Sequence, residues 1–342
     1  MTLELPVFRL GLAGFSAQQE AELSAVLASG APGAMVWERG QMADCDAWWV
    51  NGARVQWLGD ETVMVPAGNP AGHSFQFHLP EVERPVAFSM PLACVDFQPT
   101  YSFIAASRRS MDAVLEKFEA WLSPLSAQFC LASHIVEHET ALGAGTFHVR
   151  LNSTLLAVVN MPGEIAVLPS ASPADFEEAV WSRQHPGIEI PDNFLRTTVS
   201  QLMWQYAVRT QRDVLPNHYR TSLLYYRRPP RVPQLAVTDS HLLLMRELAC
   251  APATFDALQE RCALDSRQLA RDLAALYFVG SITSNPRRAG LKPKPRRKGR
   301  SEAAQGLHSS MPSALDSVFP EEAMRKSPVF RDLTVPAALA PR

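Results

Sequence analysis

The sequence predicts an α/β N-terminal domain, an α+β middle domain and a small helical C-terminal module followed by a basic, mostly disordered tail. Three patterns carry this reading. Short apolar runs broken by turns and helical stretches fill residues 1–125, as in a parallel sheet. Residues 147–168 alternate strand-like runs with two turns, as in a meander. Residues 241–283 hold three closely spaced amphipathic segments and a short final strand. From residue 287 the chain is rich in Pro, Ser, Arg and Ala, a composition with too little apolar surface to offset the entropy of ordering.

Composition sets the outer limits. A length of 342 residues suits two or three domains, and 47% hydrophobic content supplies their cores. No uninterrupted apolar run is long enough to span a bilayer. The start, MTLELPVFRL, lacks a basic n-region and a long apolar h-region, so a cytoplasmic protein is expected. Cysteines 45, 94, 130, 250 and 262 are odd in number and lack CxxC spacing. They fit buried free thiols better than disulfides or zinc ligands.

In order along the first domain, Val7–Ala13 is an apolar strand ended by Gly14. Gln18–Ala28 is a helix with Ala21, Leu23, Val26 and Leu27 inward. Further strands are expected at Ala34–Trp37, Ala47–Val50, Pro85–Met90 and Tyr101–Ala106. Ser110–Leu122 is a helix with Met111, Val114, Leu115 and Phe118 on one side, and the domain closes at 125. In the middle domain, 126–232, a helix over 126–142 leads into strands at Phe147–Leu151, Thr154–Val159 and Glu164–Leu168. Helices are then expected at Pro173–Arg183 and Asn193–Thr210. Arg227–Pro233 is a stiff, proline-rich linker.

The module, 233–286, has helices at His241–Leu248, Thr254–Cys262 and Arg267–Phe278. A turn and N-cap lie at Leu264-Asp265-Ser266, a stop at Gly280 and a strand at Ser281–Thr283. This order resembles the winged helix-turn-helix family over residues 241–283. The resemblance implies a DNA-reading third helix, with Ser266, Arg267, Gln268 and Arg271 facing outward. The basic run beyond it, with Arg287, Arg288, Lys292, Lys294, Arg296, Arg297 and Lys298, would neutralise phosphates, while the rest of the chain is net acidic. Asp265 and Asp272 flank the reading face and weaken its field.

Asp46-Ala47-Trp48-Trp49-Val50-Asn51 and the strands around it resemble the receiver domain of bacterial response regulators, a flavodoxin-like fold. In that family the third strand ends in the aspartate that accepts phosphate, and here Asn51 stands at the acceptor position. The paired acids that hold magnesium would fall near Ala13-Gly14-Phe15, where there is no carboxylate. Ser89 matches the family's Ser/Thr, and its Lys-Pro falls at Ala106-Ser107. The segment 53–84 is longer and less helical than the family's. The resemblance implies a pseudo-receiver that is not phosphorylated, because an amide is no anionic nucleophile and a divalent ion has little to bind.

Two further strings carry chemistry. His134-Ile135-Val136-Glu137-His138 is similar to the inverted zincins, which implies zinc on His134 and His138 with Glu137 as base. Glu177 and Glu178 follow too closely for that family's third ligand, so a partly exposed helix face without metal is expected. Tyr226, Arg227, Arg228 and Arg231 are a candidate clamp for a phosphorylated ligand, although a charged linker explains them as well. No P-loop, dinucleotide fingerprint or nucleophile elbow occurs. Trp48, Trp49 and Trp204 read as core. The expectation is a non-enzymatic cytoplasmic regulatory protein without cofactor, a pseudo-receiver with DNA-binding output. The alternatives are an adaptor or nucleotide-second-messenger receptor without DNA binding and, third, a zinc hydrolase. Expected partners are DNA and a protein, with a homodimer as candidate assembly and no membrane.

Overall fold

Strands that are apolar on both faces need cover on both sides, and the first unit supplies it in two different ways. The computed structural model describes residues 4–30, 35–69, 72–94, 97–143, 145–184 and 190–290. β1 (Val7–Ala13) leads to α1 (Ala17–Ala28), which a capping box between Ser16 and Gln19 starts. β2 (Val36–Arg39) and β3 (Ala47–Val50) follow. A small antiparallel sheet comes next, built from β4 (Gln56–Gly59), β5 (Thr62–Val65) and β6 (Phe75–His78). β7 (Val86–Met90), β8 (Tyr101–Ile104) and the 30-residue α2 (Arg108–Glu137) complete the unit. The main sheet is parallel, in the order β2-β1-β3-β7-β8.

On one face Leu23, Leu27, Met111, Val114, Leu115 and Phe118 from the helices cover Phe8, Leu10 and Trp49. On the other, Val63, Val65 and Phe77 of the small sheet cover Trp48, Val50 and Phe88. The expected alternation of strands and helices is therefore corrected, since among the described residues only the β1–β2 crossover contains an α-helix. The cause is legible in hindsight. Val63, Val65, Phe75 and Phe77 are spaced by two, the period of a strand.

α2 also corrects the boundary at 125, because one helix runs straight through Pro124. Proline cannot donate to the carbonyl four residues back, and here the Ser123 hydroxyl donates to that carbonyl, Ala120 O, at 3.0 Å. The first half of α2 belongs to the first core. Its second half buries Ala127, Phe129, Leu131 and Ile135 in the next.

In the middle unit α3 (Glu139–Leu142), β9 (Thr146–Leu151), β10 (Thr154–Asn160) and β11 (Glu164–Val167) follow in turn. α4 (Pro173–Glu177), β12 (Val180–Gln184), β13 (Leu195–Thr198) and α5 (Val199–Arg209) complete it. The sheet is antiparallel, ordered β12-β9-β10-β11-β13. Two expected helices are corrected. The stretch 173–183 is a short helix and then a strand, because Val180 and Trp181 extend the sheet against β9. The stretch 193–210 starts as β13 and becomes helical only after Thr198, whose capping box with Gln201 fixes the start of α5.

α6 (Asn217–Thr221), β14 (Tyr225–Tyr226), α7 (Asp239–Cys250), α8 (Phe255–Cys262), α9 (Ser266–Phe278) and β15 (Ile282–Thr283) end the described chain. β14 pairs antiparallel with β15, so the terminal strand closes on a segment that precedes all three module helices. Gly280, at φ +66°, ends α9 in the left-handed region that glycine tolerates. A single apolar cluster joins Phe129 and Trp204 of the middle unit to Leu269, Leu273 and Leu276 of α9, so the expected division at 232 does not separate two cores. Trp48, Trp49 and Trp204 are buried, as expected. Cys45, Cys130 and Cys262 are buried free thiols, but Cys250 is exposed.

Candidate functional site

Two places bring chemically able residues together. The first is the C-terminal edge of the parallel sheet. Asn51, at the end of β3, is buried with both ends of its amide engaged. Its Nδ2 donates to Gly14 O at 2.9 Å and its Oδ1 accepts from Ala53 N at 3.2 Å. Ser89 Oγ accepts from Gly52 N at 3.1 Å. The segment after β5 closes over this edge. A Cβ on Gly68 would lie 1.7 Å from Phe15 O, and Arg54 donates to Ala67 O at 2.7 Å. Asn51 thus works as an internal clasp under a cover.

The second place is the junction of the three units, beside α9. Ser266 and Arg267 are exposed, Gln268 and Arg271 half-buried. The rest of the helix is covered: Ala270 and every residue from Asp272 to Phe278 are buried, with α5 packed along it. Asp272, expected on an outward face, is therefore corrected to an inward one. Ser266, Arg267, Ala270 and Arg271 line a cavity of about 300 Å³. Arg212 and Asp213, from the loop after α5, and Arg220 of α6 face them across it. Arg212 bridges Glu4 at 3.1 Å and Glu137 at 2.8 Å, and Arg220 pairs with Asp213. Asp265 caps α9, accepting from the Arg267 and Gln268 amides at 2.9 Å each.

The first unit reaches the end of α5 through charged groups. Asp46 accepts from Arg209 at 2.6 Å and from the Arg9 amide at 2.9 Å, while the Arg9 guanidinium donates to Val208 O at 3.1 Å. Burial and the nearby Arg271 lower the Arg9 pKa. His241 of α7 faces Asp272 of α9 at 3.8 Å, both almost without solvent contact. Burial first, then Arg271 and Arg9, push His241 down to about 3, and burial pushes Asp272 up to about 6. Sequence reasoning missed this network. Its only signal was Arg9, a lone charge inside the apolar run VFRLGLA.

The HxxEH string forms a compact donor set. Ligand atoms of His134, Glu137 and His138 lie within 4.8 Å of one another at the end of α2, and two imidazoles with a carboxylate suit zinc. Glu137, however, already accepts from Arg212, which opposes its use as a general base. The Tyr226–Arg231 segment staples the end of α9. Arg227 N donates to Ser281 O at 2.8 Å and the Arg228 guanidinium to Val279 O at 3.3 Å, while Tyr226 is half-buried and Arg231 exposed. Arg287 and Arg288 are exposed after β15, and Lys292, Lys294, Arg296, Arg297 and Lys298 lie outside the described residues. No described helix is long and apolar enough to cross a membrane. No protein-family model matches the chain, and no match is found among curated proteins or solved structures.

Proposed function

We propose that this is a non-enzymatic regulatory protein in which a receiver-like unit that takes no phosphoryl group is coupled to a winged-helix-like module acting as a docked interaction element. The sheet order is that of flavodoxin-like doubly wound folds, which supports the receiver resemblance. The succession α7, α8, α9, β15 supports the winged-helix one. The observation that carries the reading is the docking of α9. A recognition helix needs an open face along its length, and this one is buried from Asp272 onward against α5. The module therefore works through protein contacts while docked, and α5, which packs on α9, carries the Arg209 that pairs with Asp46 of the first unit.

A second reading, DNA binding, draws on exposed Arg287 and Arg288 and the basic run that follows. Such binding is electrostatic and blind to sequence. Titrating the full chain into two unrelated duplexes at low and moderate salt tests both. Weak, equal binding that vanishes when residues 287–342 are removed is expected. Discrimination between duplexes that Arg267→Ala or Gln268→Ala abolishes would mean that α9 undocks and reads bases, and would overturn the docked reading.

A further inference from the structure

We propose that the cavity between the α5–α6 loop and the first turns of α9 binds a small diphosphate-bearing anion. Among the described residues four arginines line it, Arg212, Arg220, Arg267 and Arg271, with Asp213 as the one lining acid. Arg212 and Arg220 already hold carboxylates. The charge left over sits on α9. Arg267 has no carboxylate partner among the described residues, and Arg271 approaches Asp272 only to 4.0 Å. That distance is too long for a charge-assisted hydrogen bond. Arg267 and Arg271 are one helical turn apart, so their forks rise from the same side of α9.

Like charges gathered at a half-buried surface repel unless an anion joins them, and planar guanidinium forks match phosphate oxygens two at a time. Ser266 adds a hydroxyl donor at the rim. The helix end contributes little, since Asp265 already occupies the first amides. Size selects among phosphates. About 300 Å³ is the small end of the ligand-pocket range, with room for a diphosphate but not for a whole dinucleotide. Arg267 and Arg271, expected from the sequence to read DNA, thus converge with two arginines from distant chain on a pocket of small-molecule dimensions. A bound anion would tie the α5–α6 loop to α9 and so favour the docked module. The inference rests on the docked reading above, because the cavity needs α9 beside the α5–α6 loop; duplex discrimination would fail that reading, whereas silent pyrophosphate titration of a chain that shows no discrimination would fail this inference alone.

Calorimetric titration of the full chain with inorganic pyrophosphate at constant ionic strength tests it, with inorganic phosphate, sulfate and a short duplex as parallel arms. We expect saturable one-to-one pyrophosphate binding, tighter than sulfate, with a Tm that rises with the logarithm of pyrophosphate concentration. Arg267→Gln and Arg271→Gln should each weaken it about tenfold or more, the scale of one lost charge-assisted contact. Arg196→Gln, in β13 and outside the cavity lining, should leave it unchanged. Arg267 is exposed, so its variant stays informative if Arg271→Gln fails to fold. Absence of saturable binding at millimolar pyrophosphate, binding indifferent to Arg267→Gln, or binding of the duplex alone would each overturn the proposal.

Discussion

A single amide clasps the C-terminal edge of the first sheet. Asn51 spends its donor on Gly14 and its acceptor on Ala53, so Asn51→Asp gains a carboxylate and loses the donor that holds Gly14. We expect no label from acetyl phosphate and a loss of about 1–3 kcal/mol in urea unfolding; stable incorporation of label would refute this. Two other residues oppose each other in acid. His241, folded at about 3 against 6.5 free, contributes stability above pH 6.5 that is lost as pH falls toward 3. Asp272, raised from 3.8 to about 6, contributes stability at low pH that is lost as pH rises through 6. Between pH 6 and 4 the two slopes partly cancel. Relative to the parent chain, Asp272→Asn should lose stability more steeply from pH 6.5 to 4, and His241→Asn less steeply. Parallel urea midpoints for all three would contradict this. That position 51 carries an amide was legible in the sequence, whereas its bonds to Gly14 and Ala53 come only from the fold. The cavity beside Arg267 and Arg271 was half legible. Their charge pointed to an anion, but Arg212 and Arg220 join them only through the fold.

Among the elements, the clearest signals were those written locally. Ala47–Val50 and the three module helices were placed from apolar spacing and caps, because a run bounded by Asp46 and Asn51-Gly52, or opened by Asp265, needs no distant partner. The β12 and β13 strands were misread as helix. Phe176 and Val180 also fit a spacing of four, and only pairing with β9 and β11 makes the strand form win. Thr198 marks where that competition ends. Removing its side-chain acceptor with Thr198→Ala should cost about 0.5–2 kcal/mol and shorten α5 at its start. Equilibrium unfolding and amide exchange at Gln201 would register both, and unchanged protection there would argue against the cap.

Over the whole molecule, the Asp46–Arg209 pair joins units that the sequence presented as separate. Its side chains are 12% and 9% exposed, so truncating one leaves the other charged and largely dry. Asp46→Ala should destabilise the chain by about 3–5 kcal/mol. Calorimetry should show one shared transition moving down, whereas an early melt of the first unit alone would show that the junction does not couple them. The shared helix α2 has a further consequence, which belongs to synthesis rather than to the finished fold. As the chain leaves the ribosome, the first sheet gains its cover once Leu122 has emerged, yet the helix runs on as a projecting stem. Glu4, Arg9 and Asp46 then wait for Arg209 and Arg212, which at roughly 5–20 residues per second takes several seconds more. During that interval Phe129, Leu131 and Ile135 travel uncovered beside unmatched charges, so the nascent chain is most exposed to misassembly while its N-terminal third already looks complete.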